Sequence, residues 1–298
     1  MTAIYLTEPQ SYLEADLRDF AIVYNDRIQS RHSIDTTQQI IAFEGCTLGR
    51  SAIAAIYRYR IPLSFIGDNG HITAQITPQE TPFYTALQQE RNSDRNFRIA
   101  FIHSLLRGRW YNATKVLQSL GYSGIRECLE QQLEVLPGLN SWLALQTWQV
   151  QVFQRYQKAL GSVLVSVKDF EPTLELAYAL LSRELYVLLL SSGCCAEVGT
   201  LHLHCQNHLP LPCDLMEPFR PVVEAWVFEK APKFSDRGGL SQSHRATFVQ
   251  NWESLMATQI FHAYAGQVSL PSALAWQVEE YVRAITETLE YRPFLLKS

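Results

Sequence analysis

The stretch from Gly199 to Pro221 concentrates the residue types that could do chemistry: His202, His204 and His208, then Asp214 and Glu217 three residues apart, then Arg220. A helix beginning near Asp214 places both carboxylates on one face, because residues i and i+3 are neighbours on a helix surface. The prolines of the stretch suit a helix start, where the missing N–H costs nothing. An imidazole with two carboxylates is a mixed nitrogen and oxygen shell suited to Mn²⁺ or Mg²⁺. Such an ion can activate water or a 3′-hydroxyl and polarise a phosphodiester. On spacing alone the alternative is a solvated pair of acids held at a helix N-terminus by the dipole. A structural zinc site is a third reading, since Cys194, Cys195, Cys205 and Cys213 lie near the histidines. Only Cys205-x₂-His208 has a ligand-like step and paired C-x₂-C knuckles are missing, so buried or half-buried free thiols, with Cys46 and Cys128, are the simpler account.

The elements that must position these residues fall into two parts. Residues 1–78 read as β-rich: Ala3–Leu6, Phe20–Tyr24, Gln39–Phe43 and Leu63–Ile66 are short β-branched and aromatic runs. Asn25-Asp26 and Asp68-Asn69-Gly70 stand where hairpin turns belong. Leu48 to Tyr59 has helical period, with Thr47 as its N-cap. Thr77 to Pro82 carries two prolines and reads as a linker.

From residue 79 to 298 helical signals dominate. Gln89 to Leu120 reads as one long helix interrupted only by Gly108 and stopped at Gly121. Arg91, Arg95, Arg98 and Arg109 share an arc of it, and Arg107 and Lys115 add charge elsewhere. One-sign clustering of this kind suits a phosphate backbone, while a charged helix face can equally be its solvent side. Ser141–Leu160, Leu174–Leu190, Val222–Glu229, Ser243–Ala263 and Leu274–Leu289 read as further helices, and Lys233–Gln242 as a loop. The expected fold class is α+β, a β-rich domain over 1–78 followed by a larger all-α domain over 79–298.

Composition bounds the function. A chain of 298 residues, 47% apolar and 18% charged, can bury a sizeable core. Its net charge of −4 gives no global reason to expect nucleic acid, so such binding must come from local basic patches. No secretory signal and no run long enough to span a bilayer is apparent, and a cytoplasmic protein without membrane contact is expected.

The order of parts resembles the CRISPR-associated spacer-acquisition integrase and endonuclease family, the first-numbered Cas protein. The resemblance rests on Ile4-Tyr-Leu-Thr-Glu8, Ile61-Pro-Leu-Ser-Phe-Ile-Gly67, Arg107 to Leu117, Tyr178-Ala-Leu-Leu-Ser-Arg-Glu184, Gly199-Thr-Leu-His202 and Asp214-Leu-Met-Glu-Pro-Phe-Arg-Pro221. It implies His202, Asp214 and Glu217 as the catalytic group, with His202 and Glu217 as ligands of Mn²⁺ or Mg²⁺. It further implies a homodimer through the β-domain, a small ferredoxin-fold partner dimer, and double-stranded DNA, both prespacer and CRISPR repeat, as substrate. Contacts to that DNA are expected from Arg91, Arg95, Arg98, Arg107, Arg109, Lys115 and Arg220.

The sequence departs from the family at one ligand. Anchored on Tyr156 and Leu160, Gln149 stands where the family has a glutamate, with Gln146 as the alternative one turn earlier. Exchanging Glu for Gln keeps a neutral carbonyl oxygen but removes an anion, which weakens a hard-cation site. Glu171 or Glu175 could supply the missing acid. Two functions are therefore weighed: a metal-dependent DNA integrase, and a DNA-binding scaffold of the same fold with impaired chemistry.

Overall fold

The computed structural model describes residues 2–76, 82–164, 170–203, 208–230 and 242–297. The linker expected at 77–82, the loop at 233–242 and Cys205 of the zinc reading lie outside these residues in whole or in large part. A strand-rich N-terminal region is followed by a helical one, the α+β arrangement expected. The described residues of 1–80, 169–179 and 231–254 gather in one compact unit, and those of 81–168, 180–230 and 255–298 in another.

The first unit contains β1 (Thr2–Leu6), β2 (Tyr12–Ala15), β3 (Asp19–Tyr24), β4 (Arg27–Ser33), β5 (Thr37–Phe43), β6 (Thr47–Leu48), α1 (Arg50–Tyr59), β7 (Leu63–Ile66) and β8 (Ile72–Ile76). One sheet has the order β1-β5-β7-β8, parallel except for the β7–β8 hairpin; the other has the order β4-β3-β2-β6. Ile4 and Leu6 from the first sheet, Leu13 and Phe20 from the second, and Ala52 and Ile56 from α1 share one apolar core. Asn25 and Asp26, both at positive φ, close the β3–β4 hairpin as their residue types require. Gly49, not Thr47, is the N-cap of α1. Its N–H is held by the carbonyl of Leu13 at 2.7 Å, which keeps the chain extended up to that point.

The second unit is built around α3. Its helices are α2 (Thr85–Ser93), α3 (Arg95–Ser119), α4 (Ser123–Val135), α5 (Trp142–Leu164), the C-terminal half of α6 (Phe170–Ser191), α7 (Pro210–Met216), α8 (Arg220–Lys230) and α10 (Leu270–Glu287), with α9 (Gln242–Met256) mostly in the first unit. The long helix expected over 89–120 is divided at Asp94. That side chain leaves α2 and accepts the Asn96 N–H at 2.9 Å, capping α3, so Arg91 does not share a helix with Arg95 and Arg98. The helix expected over 243–263 stops at Met256. The β-branched and aromatic run that follows pairs instead as β9 (Gln259–His262) with β10 (Gly266–Ser269), turned at Gly266 with positive φ. No helix of the described residues is long and apolar enough to cross a membrane.

Gly108 shows why α3 is the hub. A Cβ there would come within 2.8 Å of the Pro293 ring and 3.0 Å of the Pro218 ring. Four residues on, the buried Asn112 donates to the carbonyls of Pro218 at 2.7 Å and Phe294 at 2.9 Å, and accepts from the Leu296 N–H at 2.8 Å. Helix propensity alone says that Gly108→Ala should stabilise by about 1 kcal/mol. Overpacking against two stiff rings costs about 1–3 kcal/mol and should win. Urea unfolding of Gly108→Ala is expected to show a net loss; a gain would mean that the proline contacts yield freely.

Candidate active site

Two elements bring the predicted residues together: the turn Gly199–Leu203 and the segment from α7 through the 3₁₀ turn Glu217–Phe219 into α8. The turn needs glycine at its start, since a Cβ on Gly199 would collide with the His202 carbonyl and the Pro210 ring. It is fastened to α2 by Asn92, which donates to the Gly199 carbonyl at 3.0 Å and accepts from the Thr200 hydroxyl at 2.6 Å. Pro210 opens α7 four residues before Asp214, so Asp214 and Glu217 are buried side chains and not solvated acids at a helix start.

Asp214 spends both carboxylate oxygens on the turn. Oδ2 accepts the N–H groups of Thr200 (2.5 Å) and Leu201 (3.1 Å); Oδ1 accepts the N–H of His202 (2.8 Å) and faces its Nδ1 at 2.8 Å. A carboxylate oxygen only accepts, so Nδ1 carries the proton and Nε2 is left as the outward nitrogen. Nε2 lies 3.6 Å from Oε1 of Glu217. The lone pair of a neutral imidazole against a carboxylate is repulsive, and a proton on Nε2 or a cation between the two would relieve it, beside the charge that Arg220 already brings to Oε1. Burial alone would push the His202 pKa down, but the hydrogen bond and charge of Asp214, aided by Glu217, hold it above 6.5.

Glu217 is 2% exposed. Its Oε1 is 3.0 Å from Nε of Arg220 and its Oε2 is 3.3 Å from Nη1 of Arg109. Burial by itself would raise its pKa; the charges of Arg220, Arg109 and His202 outweigh that and keep it below 4.5. Arg109 also reaches Glu224 Oε1 at 2.7 Å, and Glu224 Oε2 accepts from the Tyr156 hydroxyl at 3.3 Å. Arg109 is thus buried inside the site, and its charge is committed there, away from any surface that could meet a phosphate backbone.

The other predicted DNA contacts are dispersed. Arg95 and Arg107 are exposed, and Arg95 touches the Asn140 carbonyl at 3.3 Å. Arg98 lies over the Trp142 ring and Lys115 over that of Tyr111, while Arg91 donates to the Ile285 carbonyl at 2.8 Å. Beside the His202 turn is a cleft of about 440 Å³ lined by Gln89, Asn92, Arg98, Glu197, Thr200 and Leu203.

Of the two glutamines, Gln146 is the one tied to the His202 turn, donating through Nε2 to the Leu201 carbonyl at 2.8 Å. Gln149 is half-buried and makes no hydrogen bond to His202, Asp214 or Glu217 among the described residues. Glu175 stands 3.7 Å from His71 in the first unit. Among the described residues no three His, Cys, Asp or Glu side chains stand together as a metal shell. With Asp214 occupied, the groups left are His202 Nε2 and Glu217, whose two oxygens face Arg220 and Arg109. One nitrogen and one carboxylate fit Mn²⁺ or Mg²⁺ in kind, since such ions take further oxygens from water and phosphate, but the set is one anion short. Sequence reasoning missed Glu224 and the Tyr156 hydroxyl. The signal available was the seven-residue step from Glu217 to Glu224, two helical turns on one face.

Comparison with known proteins places the chain in a family. The profile of the family described as "CRISPR associated protein Cas1" matches residues 4–254, and the chain belongs to that family. A Cas4 exonuclease/Cas1 endonuclease fusion of Geobacter sulfurreducens is 23% identical over 87% of this chain and 54% of its own; the chain spans about half the length of that relative. Among solved structures, a chain of a Cas6-RT-Cas1–Cas2 complex superposes with a TM-score of 0.84 at 15% identity, covering 98% of this chain and 36% of that one. A casposase bound to integration product gives 0.82 at 18% identity, over 98% and 93% of the two chains.

The raised pKa of His202 fixes the sign of one pH effect. Its protonated form is favoured by folding, so this stabilisation is complete below about pH 6.5 and is lost as pH rises through the higher folded value. Urea unfolding on either side of that window should show the wild type losing stability with rising pH, and His202→Gln losing less. Parallel curves for the two proteins would contradict the assignment.

Proposed function

We propose that this protein is a DNA strand-transfer protein of CRISPR spacer acquisition, with the His202–Glu217 pocket as its reaction centre. The observation that carries this reading is the Asp214 clamp, which spends four hydrogen bonds to aim His202 Nε2 at a buried carboxylate. That pairing sets an imidazole nitrogen against a buried carboxylate beside a polar cleft. The Cas1 membership and the likeness to a casposase with its integration product support it. Mn²⁺ or Mg²⁺, held by His202 and Glu217 with Gln146 or Gln149 alongside, would supply electrostatic stabilisation of a phosphodiester under attack by a DNA 3′-hydroxyl. Asp214 orients the imidazole, and Arg220 offers a charge at the rim of the pocket. Arg95, Arg98, Arg107 and Lys115 provide contacts for prespacer and repeat DNA. The partners are a second copy joined through the β-rich domain and a small ferredoxin-fold protein, the latter in keeping with the Cas2-containing complex among the similar structures; the setting is the cytoplasm.

A second reading is favoured by Gln146. The side chain tied to the His202 turn is an amide engaged as a donor, unable to act as an anionic ligand. In that reading the protein is a DNA-binding scaffold of the adaptation complex with its chemistry switched off. Strand transfer of a labelled 3′-hydroxyl duplex into a CRISPR-repeat target, with Mn²⁺, separates the two. Activity abolished by His202→Ala makes the protein an enzyme. Silence relieved by Gln146→Glu or Gln149→Glu means catalysis lost at one ligand and shows which glutamine holds that position. Silence in every form, with DNA still bound, establishes the scaffold.

DNA binding itself gives a further prediction. Reversing the charge of Arg95 and Arg98 together should weaken binding about equally for unrelated sequences and flatten its dependence on salt, as expected when phosphate contacts are removed. An unchanged salt series would take the start of α3 out of the interface.

A further inference from the structure

Helix α5 is unlike most helices that meet solvent. Its residues 142–157 include five glutamines, one arginine and no acid, whereas the outer face of a surface helix normally carries charges. Leu143 is 69%, Val150 51% and Phe153 37% exposed, and their spacing puts all three on one side of the helix. Phe153 is the member of this stripe that stands beside the site. The guanidinium of Arg109 lies over its ring, 5.7 Å from the centre, and Nη1 of the same arginine is 3.3 Å from Glu217. Arg109 is buried, so the open part of the ring is on the side away from it. A flat apolar surface thus faces solvent one side chain away from Glu217.

We propose that Phe153 is a stacking platform for an unpaired nucleobase at the end of the DNA strand that enters the pocket. The proposal rests on the strand-transfer reading for the place of that strand end, and it depends on no metal ion. The chemistry of the face selects its occupant. Phosphates are drawn to cations, and this stretch of α5 offers only Arg155. A base presents a flat π-face, which stacks on an aromatic ring whatever its identity. Its polar edges need both donors and acceptors, and a glutamine amide supplies both. Gln149 and Gln154 flank Phe153 in sequence, the first half-buried and the second exposed. They break the stripe into separate apolar contacts, too small for a stable protein interface. A base inside a duplex is covered by its neighbours and must be unstacked to be reached, so the platform selects single-stranded ends over paired ones. Phe153 moves no proton; it fixes where the strand end stands relative to Glu217.

The test is a binding cycle on the full chain, using a duplex with a short 3′ single-stranded end and the same duplex blunt. Wild type and Phe153→Ala are each measured with the unpaired nucleotides intact or abasic. Phe153→Ala should weaken binding of the overhanging duplex by about tenfold, the size of one base–aromatic stack, and leave the blunt duplex unchanged. The abasic end should cost the wild type a similar factor and cost Phe153→Ala little, since both changes delete one contact. Phe153→Trp should keep the affinity, and exchanging one base for another should matter little. Phe153→Leu keeps the bulk without the flat face and should behave as Phe153→Ala does; wild-type affinity in it overturns the proposal. Full additivity of Phe153→Ala with the abasic end also overturns it, as does an equal loss for blunt and overhanging DNA. Overhang binding untouched by Phe153→Ala, with self-association weakened in sedimentation instead, assigns the stripe to a protein contact and overturns it too. Coupling in the cycle without strand transfer supports the stacking contact while failing the strand-transfer reading. Strand transfer that proceeds equally in wild type and Phe153→Ala, with no coupling, fails the proposal alone, and a wild type that binds neither duplex fails both.

Discussion

The carboxylate of Asp214 is the point from which the rest of the site is set. It is fully buried, so it must find hydrogen bonds inside the protein, and it finds them on three consecutive residues, Thr200, Leu201 and His202. Each hydrogen bond to a charged group contributes roughly 1.5–3 kcal/mol, which makes this cluster one of the stiffer local features of the unit. Three backbone N–H groups aimed at one side chain form a turn that a residue with a Cβ at position 199 could not enter, and the imidazole inherits its orientation from that turn. A free histidine chooses between tautomers; this one cannot, because the acid behind it accepts and never donates.

The second constraint comes from α3. Gly108, Arg109 and Asn112 occupy one side of that helix and meet the 217–219 turn in three different ways: by the absence of a side chain, by charge and by amide hydrogen bonds. Glu217 is consequently fixed from the backbone side by Asn112 and from the side-chain side by Arg109 and Arg220. Lysine at 109 could not reproduce this, since a point charge cannot reach two carboxylates in a plane and stack between rings at once.

The parts of this arrangement that depend on short-range chemistry were legible in the sequence. The Asn25-Asp26 turn and the β-branched runs each encode their outcome locally. What was not legible depended on partners far along the chain. Arg109 reads as one more basic residue on a cationic helix, and only burial against Glu217 and Glu224 removes it from that face. The break at Asp94 hid inside a continuous helical pattern because a single capping carboxylate scarcely disturbs the period. Asp214 looked like a ligand by residue type, yet its lone pairs are consumed by a turn that no spacing rule describes. Gln146 and Gln149 differ by less than one helical turn, and which of them meets the His202 turn is decided by the rotation of α5, a property of packing.

Asn112 joins residues that lie 106 and 182 positions away in the chain. Contacts of such long range are paid for in loop-closure entropy before they return anything, so they form late in folding relative to local helices. Until then the buried amide of Asn112 has no partner, and the turn bearing Glu217 has no fixed seat against α3. A nascent or partly unfolded chain can therefore hold the helices of this unit and still lack the His202–Glu217 pocket. The pocket is a product of the finished fold.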